Sequence, residues 1–149
     1  MVSIVMGSKS DLPIMEETAK KLKELGIASE IKIMSAHRNP EIVRKFAQNA
    51  EKRKIEVIIA GAGGAAALPG VIAAYTIIPV IGVPIKSELS GLDSLLSIAQ
   101  MPKGVPVATM AIGLAGAINA AIFAAEIVGL YNKKVKDKLI QYKKSLNAT

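Results

Sequence analysis

The chain has 149 residues, of which 51% are hydrophobic and 21% charged, a composition typical of one folded domain and not of a disordered chain. It has no cysteine and one histidine, His37, which argues against disulfides and against zinc or iron sites, since these need several Cys or His ligands. The net charge of +7 suggests an anionic partner, but six lysines lie in a C-terminal segment whose apolar spacing predicts an amphipathic helix over about 132–147 with a solvated basic face.

Short apolar runs alternate with segments of helical periodicity along the chain. The first predicted strand, 2–6, leads through the turn "GSKSD" into a predicted helix over 12–25. We expect Ser10 or Asp11 to cap this helix at its N-terminus and Gly26 to end it.

A second strand is predicted over 29–35. Asn39 followed by Pro40 has the pattern of a helix N-cap with proline in the first turn. The remaining predicted strands are 55–61, 79–84 and 105–109, and further helices are predicted near 67–75 and 92–99.

The most apolar stretch of the sequence, 110–125, raises the question of a membrane. It is shorter than the ~20 residues that span a bilayer, it contains Asn119, and it ends at Glu126. Its Gly and Ala content permits close helix contact, so we expect a helix buried in the core or in a subunit interface.

The alternation of strands and helices predicts an α/β sandwich with a central parallel sheet in a single domain, 1–149. Ligands of such sheets bind at the carboxyl ends of the strands. This rule singles out three loops, 7–11, 35–40 and 61–69, and the only histidine lies in the second of them.

The first loop, "MGSKSD", opens a helix, so its backbone N–H groups could hold a phosphate or ribose hydroxyls. It does not have the Walker pattern, and a tight strand-to-helix turn needs a glycine and a capping residue even without a ligand.

The third loop, "GAGGAAALPG" over 61–70, formally matches a dinucleotide fingerprint. The match is weak, because the next strand does not end in the Asp or Glu that would bind an adenosine ribose. A loop whose glycines let the backbone approach a smaller anionic ligand fits better.

The second loop, "SAHR", combines two chemically useful side chains. An imidazole exchanges protons near neutral pH, which suits His37 to proton transfer, and the guanidinium of Arg38 can hold a phosphate or carboxylate. No G-x-S-x-G elbow supports a serine hydrolase.

Six motifs stand in order along the chain: "MGSKSD", "SAHRNP", "AGAGGAAALPG", "PVIGVP", "GLDSLLSIAQMPKGVPVAT" and "AGAINAA". Together they closely resemble the N5-carboxyaminoimidazole ribonucleotide mutase family of de novo purine synthesis, from Val2 to about Val128. The resemblance implies a flavodoxin-like three-layer sandwich, a homo-octamer with active sites at subunit contacts, and conversion of N5-carboxyaminoimidazole ribonucleotide to 4-carboxy-5-aminoimidazole ribonucleotide.

The resemblance also implies roles for individual residues. His37 would be the catalytic proton shuttle, and Arg38 would bind the substrate phosphate, without any metal or cofactor. The other substrate-binding residues would be Ser8, Asp11 (at the ribose hydroxyls), Ser35, Gly63 and Gly64, with backbone amides of 61–66 facing the CO2 or carboxylate. The segment 90–102 resembles the family's interface region.

Two residues depart from the family pattern. Ala67 stands where members often have a histidine, which leaves the proton transfers to His37 alone. Asn39 replaces the usual threonine, and both residues cap helices.

Two alternatives to the mutase remain open. A sister subclass carboxylates aminoimidazole ribonucleotide directly with CO2, although "SAHR" and "GAGGAA" favour the mutase. A non-catalytic nucleotide- or flavin-binding module is the second, although a flavin would want aromatic residues near the loops. Nucleic-acid binding would want clustered arginines and aromatics, which are not evident. The N-terminal segment has no signal-peptide pattern, so we expect a cytoplasmic protein that contacts neither nucleic acid nor a membrane.

Overall fold

The computed structural model describes residues 1–147. A five-stranded, wholly parallel sheet is formed by β1 (Val2–Met6), β2 (Ser29–Ile33), β3 (Val57–Gly63), β4 (Val80–Ile85) and β5 (Ala108–Thr109). The helices are α1 (Leu12–Glu24), α2 (Pro40–Gln48), α3 (Leu68–Ala73), α4 (Leu92–Ala99), α5 (Leu114–Gly129) and α6 (Lys133–Leu146), and a short 3-10 helix, Lys9–Asp11, precedes α1.

The strand order is β2-β1-β3-β4-β5, which is the flavodoxin-like order and confirms the predicted fold class. The chain passes from β1 outward to β2, then returns to the other side of β1 to form β3. The strand order therefore reverses between β1 and β3, and a ligand crevice is expected at the carboxyl ends of these two strands.

Two apolar clusters fill the spaces on either side of the sheet. Side chains of α1, α5 and α6 pack with alternate strand residues such as Ile4 and Ile59. Those of α2, α3 and α4 pack with the intervening residues, such as Val5 and Ile58, on the other face. This alternation gives the three layers, and both faces of the inner strands are buried, as expected for a parallel sheet.

Two predicted elements begin three or more residues away from where the structure begins them. The strand predicted over 105–109 is only Ala108–Thr109, because Val107 packs over Gly82 without joining the strand ladder. The helix predicted over 110–125 begins at Leu114, since the amides of Met110 and Gly113 donate to the β4 carbonyls of Gly82 and Pro84 and hold residues 110–113 against β4.

The long apolar helix α5 lies in the core, which is one of the two locations predicted for it. Among residues 1–147, no helix is both long and apolar enough to cross a bilayer. The basic helix α6 packs on α5, and the Lys138 ammonium donates to the Glu24 carbonyl at the end of α1 at 3.0 Å, which satisfies a terminal carbonyl of that helix.

Gly116, in the first turn of α5, is the tightest glycine position in the fold. A Cβ added there would lie 1.7 Å from the backbone carbonyl oxygen of Ala111, and a backbone atom cannot move aside cheaply. We expect Gly116→Ala to lower the free energy of unfolding by about 1–3 kcal/mol or more. Urea denaturation measures this, with Gly7→Ala as the control because no atom would lie within 4 Å of its new Cβ. Equal stability of the two variants would contradict the close contact.

Candidate active site

A cleft of about 440 Å³ lies at the carboxyl edge of the sheet, where the loops after β1, β2, β3 and β4 meet. We call it the carboxyl-edge cleft. Its size is in the range of small-molecule sites. It is lined by Gly7, Ser8, Ser10, Asp11, Ser35, Ala36, His37, Arg38, Ala62, Gly63, Ala66, Ala67, Leu68, Lys86 and Ser87.

The loop after β1 brings two predicted substrate-binding residues, Ser8 and Asp11, into the cleft. The Ser8 hydroxyl oxygen accepts hydrogen bonds from the Ser10 amide at 3.3 Å and the Ser10 hydroxyl at 2.9 Å, which caps the 3-10 helix. Asp11 occupies the N-cap position of α1, but its side chain makes no capping hydrogen bond. The prediction that Ser10 or Asp11 caps α1 is confirmed for Asp11, which holds the N-cap position without a side-chain capping bond.

Asp11 is 8% exposed, although it carries a carboxyl group at the edge of the cleft. Burial raises the pKa of Asp11, opposed by hydrogen bonds from the Ser10 side chain and the Ser8 backbone. The buried carboxylate therefore has unused acceptor capacity, which suits it to hydroxyl groups of a ligand.

The raised pKa of Asp11 predicts a conflict between stability and binding. The ionised carboxylate is less favourable in the folded chain than in the unfolded one, so stability is lost as pH rises from the ordinary Asp range through the raised pKa. We expect Asp11→Asn to raise Tm at pH 7 while weakening the binding of ligand hydroxyl groups at this position. The gain in Tm should shrink as pH falls below the ordinary pKa of 3.8. Calorimetry on this variant and on the exposed control Asp137→Asn measures it, and a lower Tm for Asp11→Asn at pH 7 would contradict the penalty.

The loop after β2 holds His37 in a turn that is fixed at both ends. The Ser35 carbonyl accepts from the Asn39 amide at 2.9 Å, and the Ser35 hydroxyl oxygen accepts from the Arg38 amide at 3.2 Å. The Asn39 side chain then accepts from the Ile42 amide at 3.3 Å and caps α2, as predicted. Ser35 therefore shapes the turn, and the exposed imidazole of His37 lines the cleft.

Arg38 connects the first two loops. Its Nη2 donates to the Gly7 carbonyl at 2.8 Å, which uses one of the five N–H donors of a guanidinium. The remaining donors are available to an anion, and the bond to Gly7 fixes where the positive charge lies.

The loop after β3 approaches the β4 backbone closely at Gly63. A Cβ there would lie 3.3 Å from the Ile85 carbonyl oxygen, so this position favours glycine. Gly63 lines the cleft, but Gly64, which the sequence predicted beside it, is not among the lining residues. Gly64 has a φ of +60° and serves the turn. Ala67 lines the cleft with a methyl group and supplies no second imidazole.

The structure adds a fourth loop that the sequence analysis missed. Lys86 and Ser87 follow β4 directly and line the cleft. The strand-end rule would have found them, because β4 ends at the same sheet edge, but their sequence has neither the glycines nor the histidine that marked the other loops. The cleft thus combines an imidazole, a guanidinium, an ammonium and one carboxyl group, which suits proton transfer on an anionic ligand.

Comparison with known proteins gives this arrangement a family. The model of the AIR carboxylase family matches residues 1–149. The chain belongs to the AIR carboxylase family. Members of this family include the N5-carboxyaminoimidazole ribonucleotide mutase of Pyrococcus abyssi, 58% identical over 97% of this chain and 83% of that protein. The Pseudomonas aeruginosa protein of the same name is 53% identical over 100% of this chain and 92% of its own length.

A solved structure of the AIR carboxylase family has the same fold. Treponema denticola PurE superposes with a TM-score of 0.89 at 33% identity, covering 99% of this chain and 91% of that one. The resemblance stated from the sequence motifs is thereby confirmed.

Proposed function

We propose that the protein converts N5-carboxyaminoimidazole ribonucleotide to 4-carboxy-5-aminoimidazole ribonucleotide in purine biosynthesis. The observation that carries the proposal is the nearly full-length identity of 51–58% to relatives named for this mutase activity. The chemistry of the carboxyl-edge cleft supports it, because an imidazole and a guanidinium stand on adjacent residues there.

The proposed reaction moves a carboxyl group from nitrogen to carbon. His37 in its protonated form donates a proton to the nitrogen, the N–C bond breaks, and CO2 is released inside the cleft. C4 of the electron-rich imidazole then attacks CO2, and neutral His37 removes the C4 proton. The proton count balances, so one imidazole, which can both donate and accept a proton, can perform both transfers.

The remaining residues of the cleft would position the ribonucleotide. Arg38 would bind the phosphate, for which its remaining guanidinium donors are suited. Ser8 and Asp11 would bind the ribonucleotide, with Asp11 at the ribose hydroxyls. Ser35 would hold the turn that carries His37, and the backbone amide of Gly63, which lines the cleft, would face CO2 or the carboxylate. Such positioning lowers the barrier, because the reacting groups are held in the required geometry before the reaction begins.

The assay that tests the proposal offers two substrates to the purified protein. Turnover of N5-carboxyaminoimidazole ribonucleotide without added bicarbonate is the expected result. Activity only on aminoimidazole ribonucleotide plus CO2 would instead establish the direct carboxylase, a candidate that the name of the matching family, AIR carboxylase, keeps open. The flavin-binding alternative loses support, because the residues that line the cleft include no tryptophan, tyrosine or phenylalanine.

We also propose the homo-octamer that the resemblance implies, in a cytoplasmic protein that acts without metal or cofactor. Leu89, Leu92 and Leu96, in and after the loop that follows β4, are 66%, 56% and 49% exposed, and side chains of this kind favour burial against another chain. Light scattering on the eluting protein should give eight chain masses, and a monomer would contradict the proposal.

A further inference from the structure

Lys86 is a cation of the carboxyl-edge cleft that has no role in the reaction proposed above. It follows the last residue of β4, Ile85, and lines the cleft. Within residues 1–147, its ammonium group forms neither a hydrogen bond nor an ion pair, whereas Lys20, Lys21 and Lys133 each pair with a carboxylate. An unpaired cation in a cleft is available to an anionic ligand.

The backbone that carries Lys86 is held on both sides. The buried Ser94 hydroxyl donates to the Ile85 carbonyl at 2.8 Å, and the Ser87 hydroxyl donates to Asp93 Oδ2 at 2.8 Å. Both bonds tie the loop to the first turn of α4. The side chain of Lys86 therefore extends from a fixed point, which lowers the entropy that a bound anion must offset.

Charge balance indicates what Lys86 would bind. The substrate proposed above carries two anionic groups, the phosphate and the carboxyl group that migrates. The cleft is lined by two basic residues with permanent or near-permanent charge, Arg38 and Lys86. With the phosphate on Arg38, the second cation matches the carboxyl group.

The positions of Arg38 and Lys86 along the sheet edge match the separation of the two anionic groups in the proposed substrate. The Arg38 guanidinium lies against the Gly7 carbonyl at the end of β1, and Lys86 begins at the end of β4. Because β3 lies between these strands, the two ends are about 10 Å apart at two strand spacings. A ribonucleotide also places its phosphate and its base at opposite ends of the ribose.

We propose that Lys86 binds the migrating carboxyl group and stabilises its negative charge on nitrogen before transfer and on carbon after it. This role rests on the proposed function, since only a carboxylated ribonucleotide has the second anion. Lys86 would therefore distinguish carboxylated ribonucleotides from the uncarboxylated amine.

Calorimetric titration of two nucleotides into wild-type protein and three variants tests the role. We expect Lys86→Met to weaken binding of 4-carboxy-5-aminoimidazole ribonucleotide by about tenfold or more and to leave binding of aminoimidazole ribonucleotide within about twofold. Lys86→Arg should restore most of the loss. Lys52→Met, which removes an exposed lysine outside the cleft, should bind both nucleotides like the wild type.

Two binding patterns overturn the role of Lys86 alone. An equal loss for both nucleotides would assign Lys86 to the phosphate, and unchanged binding of both would remove it from the site. If the wild type binds neither nucleotide, the proposed function and the role of Lys86 fail together. If the wild type binds both but converts no substrate, the mutase proposal fails, while the binding ratio still reports on Lys86.

Discussion

His37→Asn is expected to lower kcat by about 10²- to 10⁴-fold while KM changes by only a few-fold, because the variant loses the one group assigned to both proton transfers. Asparagine keeps a polar side chain of similar size in the exposed turn, so the hydrogen bonds around Ser35 and Asn39 should persist. Steady-state kinetics on N5-carboxyaminoimidazole ribonucleotide and calorimetric binding of the product separate catalysis from binding.

The matched control for His37 is Asn39→Ser in the same turn. Serine also caps helices, so this variant should keep α2 and near wild-type activity. If His37→Asn retained kcat within a few-fold, another proton donor would have to act, and the mechanism with a single imidazole would be wrong.

Arg38→Ala is expected to weaken ribonucleotide binding by roughly ten- to a hundredfold, because it removes the charge-assisted hydrogen bonds proposed for the phosphate. It also deletes the 2.8 Å bond from Nη2 to the Gly7 carbonyl, which joins the first two loops of the cleft. The loss should therefore appear in KM and Kd for carboxylated and uncarboxylated ribonucleotides alike.

Arg38→Lys separates charge from geometry. Lysine keeps the positive charge but not the forked pair of donors, so we expect an affinity between those of the wild type and Arg38→Ala. Calorimetry with inorganic phosphate as a competitor identifies the group that is bound. Unchanged nucleotide affinity in Arg38→Ala would show that Arg38 does not bind the phosphate.

The order of the elements could be predicted from the sequence because two signals indicate the same boundaries: the spacing of the apolar residues, and the positions of the glycine, proline and capping residues. Gly26 ends α1, and Asn39 with Pro40 begins α2, as the residue types require. The strands of the interior read as continuous apolar runs, which identified a parallel sheet before its strand order was known.

The bounds near β5 could not be predicted, because apolar content does not distinguish a strand, an extended segment and a helix. Residues 105–113 are mostly apolar and would suit any of these three conformations. Their conformation is decided by hydrogen bonds to a strand that is distant in the sequence. The β4 carbonyls of Gly82 and Pro84 accept hydrogen bonds from the amides of Met110 and Gly113, so α5 begins only at Leu114.

The topological rule singled out three loops, and the resemblance to the family indicated which residues within them form the candidate site. His37, Arg38, Ser35, Ser8, Asp11 and Gly63 were predicted and line one cleft. Lys86 was missed because a lysine in an ordinary polar turn has no local signature, although β4 ends at the same sheet edge as β3.

The N-termini of α1 and α2 both lie at the cleft, and this affects how substrate affinity depends on pH. Asp11 is the N-cap of α1, and the turn 35–38 leads into α2, so the positive ends of both helix dipoles lie beside lining residues. Peptide dipoles carry no titratable proton, so their attraction for an anion should stay constant with pH. Changes in substrate affinity between pH 5 and pH 9 would then report mainly the few ionisable side chains of the cleft and the substrate itself.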